Sequence, residues 1–295
     1  MNWKHVDGPR LRQYYLDAGD ASQPVVFALH GWPDAPQTWR YLLPVLRQAG
    51  WRVITPYLRG FGPNRFISSE VPRSGQLSAL ADDIRQLADA LAVQRFAVVG
   101  HDWGARCAYI LSALWPERIS HCIALSVGYS PGEPPSLTQT QQYWYQWFMA
   151  TPQGRQAVEQ DRQAFCQHLW RTWAANWRYD AQSWSFAEAA MANPDWAAIT
   201  LHSYTQRWGN AVSDPAYTEL EQRLADKPAI DAPSLIIHGE ADGCNLPETS
   251  ANLSFFHGPI ERLTLPGVGH FPQHEARDQV NQAIRRWLMT SREAE

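Results

Sequence analysis

Short runs of continuous apolar residues alternate along the chain with longer stretches in which apolar positions recur at helical spacing. Val25–Leu29 and Val53–Thr55 read as strands. Ser78–Leu91 carries Leu80, Ile84, Leu87 and Leu91 at intervals of three and four, which predicts a helix with one buried face. A strand at Phe96–Val99, a helix from about Ala105 to Leu114 stopped by Pro116, and a strand at Ile119–Ser126 follow. Strands apolar on both faces, separated by amphipathic helices, predict an α/β fold with a mostly parallel sheet flanked by helices. At Tyr129 the alternation stops. From there to about Ile230 lie eight of the fifteen tryptophans (Trp144, Trp147, Trp170, Trp173, Trp177, Trp184, Trp196 and Trp208), in helical-looking segments bounded by Pro131–Pro135 and Pro228. This predicts a helical cap, residues 129–230, inserted into a core domain made of residues 1–128 and 231–295. The strand and helix pattern resumes with Ser234–His238, Glu261–Leu265 and a last helix ending near Trp287.

Composition narrows the picture. At 295 residues and 45% hydrophobic content the chain can bury a large core, and it exceeds the roughly 100–200 residues of one domain, in keeping with an appended module. A net charge of −4 and no Lys/Arg cluster argue against a nucleic-acid partner. The start, Met1-Asn2-Trp3-Lys4-His5-Val6-Asp7, lacks a secretory apolar region, and no apolar run is long enough to span a membrane, so a cytoplasmic protein is expected. Cys107, Cys122, Cys166 and Cys244 have no C-x-x-C spacing and read as small core residues rather than a zinc site or disulfides. No metal or cofactor is expected, and a monomer or a homodimer is equally compatible with the pattern.

The chemistry is concentrated at Gly100-His101-Asp102-Trp103-Gly104, directly after the strand Phe96–Val99. A strand-to-helix turn flanked by glycines presents its central side chain at the sheet edge, because a side chain at either glycine would strike the neighbouring strand or helix. The residue presented is an aspartate, kept ionised by the helix N-terminus behind it. A carboxylate is a poor acyl acceptor, but it can displace a leaving group at an sp3 carbon and form an alkyl ester. The expected substrates are therefore small apolar or amphipathic epoxides or alkyl halides, with water as co-substrate. A Gly-flanked Asp also occurs in ordinary turns, so the later loops matter. Asp242 stands in Gly239-Glu240-Ala241-Asp242-Gly243 after one strand, with Glu240 as a rival acid, and His270 stands in Gly267-Val268-Gly269-His270-Phe271 after the next. His101, His238 and His274 read as scaffold. In His30-Gly31-Trp32-Pro33, after the strand Val25–Leu29, the backbone N–H of Trp32 is placed to converge with that of Trp103 on one Asp102 oxygen as an oxyanion hole.

His30-Gly31-Trp32-Pro33, Arg59-Gly60-Phe61-Gly62, Gly100-His101-Asp102-Trp103-Gly104-Ala105, Asp242 and Gly269-His270-Phe271 together resemble the α/β-hydrolase fold family, in its epoxide hydrolase and dehalogenase branch. The resemblance covers the whole sheet domain. It implies Asp102 as nucleophile, with His270 and Asp242 activating the hydrolytic water. It also implies two cap tyrosines that hydrogen-bond an epoxide oxygen, and Tyr145 and Tyr204 stand in matching contexts, the first beside Tyr143 and Trp144. Trp103, Trp144 and Arg106 are expected to contact substrate. The implied activity is opening of an epoxide to a vicinal diol. The alternative is a haloalkane or haloacid dehalogenase using the same aspartate. In the haloalkane enzymes the Trp103-type indole holds the halide, but their asparagine is replaced by Trp32. In the haloacetate enzymes two arginines bind the carboxylate, and only Arg106 matches. Tyr57 departs from the family's D-x-R-G loop. A reading of another class, a non-catalytic receptor for a small apolar ligand, would be excluded by any alkylated enzyme in a single-turnover assay.

Overall fold

Nine strands form one sheet in the computed structural model, which describes residues 3–290. The chain enters through β1 (Lys4–Asp7) and β2 (Leu11–Ala18), then runs β3 (Val25–Leu29), α1 (Leu42–Gln48), β4 (Arg52–Pro56), β5 (Arg65–Phe66), α2 (Leu77–Ala90), β6 (Phe96–His101), α3 (Trp103–Leu114) and β7 (Ile119–Leu125). Between β7 and the next strand lie α4 (Leu137–Gln142), α5 (Trp144–Phe148), α6 (Pro152–Gln160), α7 (Arg162–Trp173), α8 (Ala181–Met191), α9 (Trp196–Gln206) and α10 (Thr218–Ala225). β8 (Ser234–Gly239), β9 (Ile260–Leu265), α11 (Pro272–Glu275) and α12 (Arg277–Thr290) complete it.

The sheet order is β1-β2-β4-β3-β6-β7-β8-β9, with β5 on β2. β1, β4 and β5 each pair antiparallel with β2, while β3 pairs parallel with β4 and β6, and β6 through β9 are parallel. The continuous apolar runs follow from burial on both faces. Val26 and Ala28 pack toward α1 and α12 with Leu46 and Ile284, whereas Phe27 and Leu29 face α2 and α3 with Leu80 and Leu111. β1, β2, β5 and α1 escape the sequence reading. β5 is two residues long, α1 is seven, and neither carries enough residues for a period to register.

The helices from α4 to α10 pack on the loops that follow β3 and β4. Trp170 Nε1 donates to the Pro33 carbonyl at 2.9 Å, Trp32 Nε1 to Thr200 Oγ1 at 2.9 Å, and the Gly62 amide to the Ala190 carbonyl at 2.8 Å. Trp170, Trp173 and Trp196 are fully buried in the same apolar cluster as Phe27 and Leu29 of the sheet, so this segment extends the core on the α2 and α3 side. Among the described residues no helix is long and apolar enough to cross a membrane.

Candidate active site

The turn between β6 and α3 is a single residue. Asp102 sits at φ 52°, ψ −112°, a conformation that L side chains seldom adopt and that the surroundings must enforce. A Cβ on Gly100 would lie 2.1 Å from the Gly104 carbonyl oxygen, and one on Gly104 2.3 Å from the Leu29 oxygen. The helix can thus approach the sheet only with glycine at both places. Gly31 passes as closely to Asp102 itself: a Cβ there would be 2.6 Å from the Asp102 Cβ. His30 fixes this loop, donating from Nδ1 to the Gly31 carbonyl at 2.8 Å and accepting the Leu58 amide at Nε2 at 3.0 Å.

Four loops at the carboxyl ends of parallel strands meet at the aspartate. The Trp32 amide donates to Asp102 Oδ1 at 2.8 Å, and the Trp103 amide is the first N–H of α3 behind it. His270 Nε2 faces Asp102 Oδ2 at 3.6 Å, and Nδ1 lies 2.8 Å from Asp242 Oδ2. Asp242 Oδ1 accepts the amides of Cys244 at 2.7 Å and Asn245 at 3.0 Å, leaving Oδ2 for the imidazole. Glu240, the rival acid, is exposed and turned away. Two supports were invisible in the sequence. Glu275 clamps the His270 loop, accepting the Gly269 amide at 2.8 Å and the Phe271 amide at 2.9 Å. The Trp173 carbonyl at the end of α7 accepts the amides of Gly243 at 3.0 Å and His270 at 3.1 Å, so it ties both loops to the inserted helices. The first is an ordinary-looking Glu five residues after the histidine, and the second is backbone.

Burial alone would raise the carboxyl of Asp102, but the imidazole of His270, the nearby His101 and the Trp32 amide outweigh it and bring it down to about 2. Asp242 is likewise brought down to about 2 against burial, by His270 and His238. For His270 burial works against the charge, and the two carboxylates, Asp242 first, overcome it and raise the imidazole from 6.5 to about 10. The resting cluster is an imidazolium between two carboxylates. Its linkage to stability follows. The His270 contribution is complete below 6.5 and lost as pH rises toward about 10. The carboxylate contributions are complete above 3.8 and lost as pH falls toward about 2. Thermal melts of the wild type and His270→Gln should therefore differ most near pH 5–6 and converge as pH is raised toward 10; a gap widening in alkali would contradict the imidazolium assignment.

Above Asp102 stands an aromatic wall. Trp32, Trp103, Tyr145 and Tyr204 are each no more than 2% exposed, and the Tyr145 and Tyr204 rings meet edge to face at 5.3 Å. Tyr145 stacks on Trp32 at 6.0 Å, and Tyr204 meets the same indole edge-on at 5.0 Å. Tyr204 Oη accepts from Trp103 Nε1 at 3.0 Å, and Tyr145 Oη accepts from Gln146 Nε2 at 2.8 Å with the Cys244 sulfur 3.5 Å away. Burial first, and then the Cys244 thiol at Tyr145 and the Asp102 charge at Tyr204, push both phenols well above their ordinary value, so they keep their protons. Trp144 does not join this wall. It is 39% exposed and packs on Phe148, Phe165 and His168, because on a helix the residue before an inward-facing Tyr145 is turned by about 100°. Its expected contact with substrate is thus withdrawn. Tyr143 also points elsewhere, donating to Asn245 Oδ1 at 2.7 Å. Arg106, one turn along α3 from Asp102, lines a neighbouring cavity of about 1010 Å³ together with Tyr143.

Residues 24–276 match the family model described as alpha/beta hydrolase fold. An epoxide hydrolase of Caballeronia sordidicola is 27% identical over 301 residues, covering 90% of this chain and 88% of that protein. Epoxide hydrolase B of Mycobacterium tuberculosis is 29% identical over 50% of this chain and 46% of its own length. A crystal structure of a "putative epoxide hydrolase" from Klebsiella pneumoniae superimposes with a TM-score of 0.90 at 34% identity, over 97% of this chain and 96% of that one.

Proposed function

The chain belongs to the α/β-hydrolase fold family, and from that premise we propose that it opens epoxides to vicinal diols through an alkyl ester on Asp102. In this reading residues 129–230 act as a cap over a core of residues 1–128 and 231–295, and the substrate is a small apolar or amphipathic epoxide. The observation that carries the reading is the state of the two phenols. Each accepts a hydrogen bond from an N–H group, and the only other group within reach of either among the described residues is the Cys244 thiol beside Tyr145, so each retains an O–H to give. That is the arrangement an opening epoxide requires on the face opposite its nucleophile.

An Asp102 oxygen attacks the less hindered ring carbon, the carbon–oxygen bond breaks, and the departing electron pair becomes an alkoxide that takes a proton from Tyr145 or Tyr204. The ester formed is neutral. His270 thereby loses one of its two carboxylate partners and its affinity for a proton falls, so the imidazolium gives up its Nε2 proton, which restores the phenol, and a neutral imidazole remains to act as base. With Asp242 holding Nδ1, Nε2 takes a proton from water attacking the ester carbonyl, and the amides of Trp32 and Trp103 receive the oxyanion. Collapse expels the diol and restores the carboxylate.

The dehalogenase alternative is disfavoured by the same wall. The indole N–H groups of Trp103 and Trp32 are already engaged by Tyr204 and Thr200, whereas a departing halide needs them free. Tyr204→Phe should lower epoxide turnover by about 10²–10³, by analogy with loss of an oxyanion donor. Trp103→Phe should have a smaller effect, through loss of the bond to Tyr204. Assaying both variants with styrene oxide and a chloroalkane decides it: halide release abolished by Trp103→Phe, with diol formation untouched by Tyr204→Phe, would overturn the reading.

A further inference from the structure

Whether a buried phenol gives its proton or receives another depends on what its neighbours are able to do, and at Tyr145 that is decided by an indole two bonds away in the hydrogen-bond chain. An indole N–H can only donate. Trp208 Nε1 donates to Gln146 Oε1 at 2.9 Å, which fixes the end of the amide that carries the oxygen. The amide nitrogen is thereby turned to the Tyr145 hydroxyl, 2.8 Å away, and it too can only donate. The phenol oxygen must accept, and its own proton is left to point elsewhere, to the Cys244 sulfur at 3.5 Å or to a substrate. With the amide the other way round, its oxygen would take the phenol's proton and its N–H groups would confront the indole. Gln146 is 1% exposed, so no water relieves that conflict. Packing holds the far end of the chain: Trp208, just beyond α9, lies against Trp147 of α5 with ring centres 4.3 Å apart. Tyr204 is set in the same way without an intermediary, accepting from Trp103 Nε1 at 3.0 Å.

We propose that Gln146 and Trp208 are positioning residues that keep Tyr145 a hydrogen-bond donor to the substrate, the indole setting the amide and the amide setting the phenol. Their role rests on the epoxide reading above, in which a phenol protonates the opening ring. A phenol whose proton is already given to a protein oxygen must break that bond before it serves the epoxide, and Tyr145 has no such bond to break. The amide also acts during the transfer. As the proton leaves Tyr145, the Gln146 N–H faces an oxygen that is gaining charge, and a hydrogen bond to a charged oxygen is about twice as strong as one to a neutral oxygen. The bond tightens as the transition state forms, so it raises the rate of ring opening rather than the affinity for the epoxide.

The test follows ester formation on Asp102 with styrene oxide, by rapid quenching and mass spectrometry, in Gln146→Met, Gln146→Glu and Trp208→Phe, each with and without Tyr145→Phe. Gln146→Met, similar in length but unable to donate, should slow the step about tenfold at saturating epoxide. Gln146→Glu, whose carboxylate accepts from the indole and takes the phenol's proton as well, should slow it by about 10²–10³, as far as Tyr145→Phe does. Trp208→Phe frees the amide to turn and should slow it about threefold. None should slow the Tyr145→Phe protein further, because a residue that acts through the phenol then has nothing to act on. Losses that multiply with that of Tyr145→Phe belong to a general disturbance of α5 and overturn the proposal, as does ester formation in Gln146→Glu as fast as in Gln146→Met. A second measurement needs no substrate. In protein labelled with nitrogen-15 tryptophan, the Trp208 indole proton, identified by its absence from Trp208→Phe, should resonate downfield and move upfield in Gln146→Met; an unmoved resonance overturns the chain of bonds. If that shift is seen while the wild type forms neither ester nor diol, the setting of Tyr145 stands and the epoxide reading falls instead.

Discussion

His270→Gln should halt turnover by about 10⁴ or more and leave the protein alkylated on Asp102. The two halves of the proposed reaction make unequal demands. Ring opening needs the carboxylate and a phenolic proton, neither of which the substitution touches, while ester hydrolysis needs a base 3.6 Å from the nucleophile, which only His270 supplies. Glutamine keeps much of the volume and a hydrogen-bonding end, so the loop clamped by Glu275 should persist. Mass spectrometry of the variant after incubation with styrene oxide should find the adduct on the peptide containing Asp102. The wild type in heavy-oxygen water should complement it, with the first diol formed carrying oxygen from Asp102 and the label entering the carboxylate. An unmodified peptide in a folded variant, or label passing straight from solvent to the first diol, would remove the covalent mechanism.

Asp83→Ala should cost about 3–5 kcal/mol of folding stability, a large part of the 5–15 kcal/mol typical of a globular protein. Arg59 and Asp83 form a bidentate pair, with both contacts at 2.7 Å and side-chain exposures of 1% and 6%. The same guanidinium donates to the Ser74 carbonyl at 2.9 Å and to Tyr217 Oη at 2.9 Å, so it joins the loop after β4, α2 and the segment before α10. Removing the carboxylate leaves a charge that cannot reach water. Replacing both partners by apolar residues, as in Arg59→Met with Asp83→Leu, should recover most of the loss, because the penalty lies in the orphaned ion rather than in the absence of the pair. Chemical denaturation of the three proteins checks this; a single variant as stable as the wild type would mean that the site relaxes and hydrates.

The convergence of Asp102, Asp242 and His270 was legible because each stands in a glycine-marked loop after an apolar run, and parallel strands bring such loops to one edge regardless of their separation in sequence. The close approach at Gly100 and Gly104 was legible for the same local reason, whereas that of Gly31 to Asp102 shows only once the two loops are brought together. What could not be read depended on packing. Tyr145 and Trp144 are neighbours in a five-residue helix, and which of them faces inward is decided by contacts with α7 and α9. β1 was missed because most of its residues lie exposed at the sheet edge with little hydrophobic contrast, and β2 because the buried position of its alternation after Leu11 is taken by the polar Gln13.

The hydrogen bonds from Trp103 to Tyr204 and from Trp32 to Thr200 also have a kinetic meaning. With Asp102 only 4% exposed and the wall above it closed, α9 must shift to admit any molecule and then return, so that both bonds stand again behind the substrate before the chemistry begins. Admission and chemistry then share the same groups, since the phenol that bars the way is the one that, in the proposed reaction, hands over a proton. Such a molecule is gated by the breathing of its own helices, on the microsecond-to-millisecond scale of loop and helix displacements. Its selectivity is exercised first at the threshold, against anything too large or too strongly hydrated to displace an indole–phenol contact.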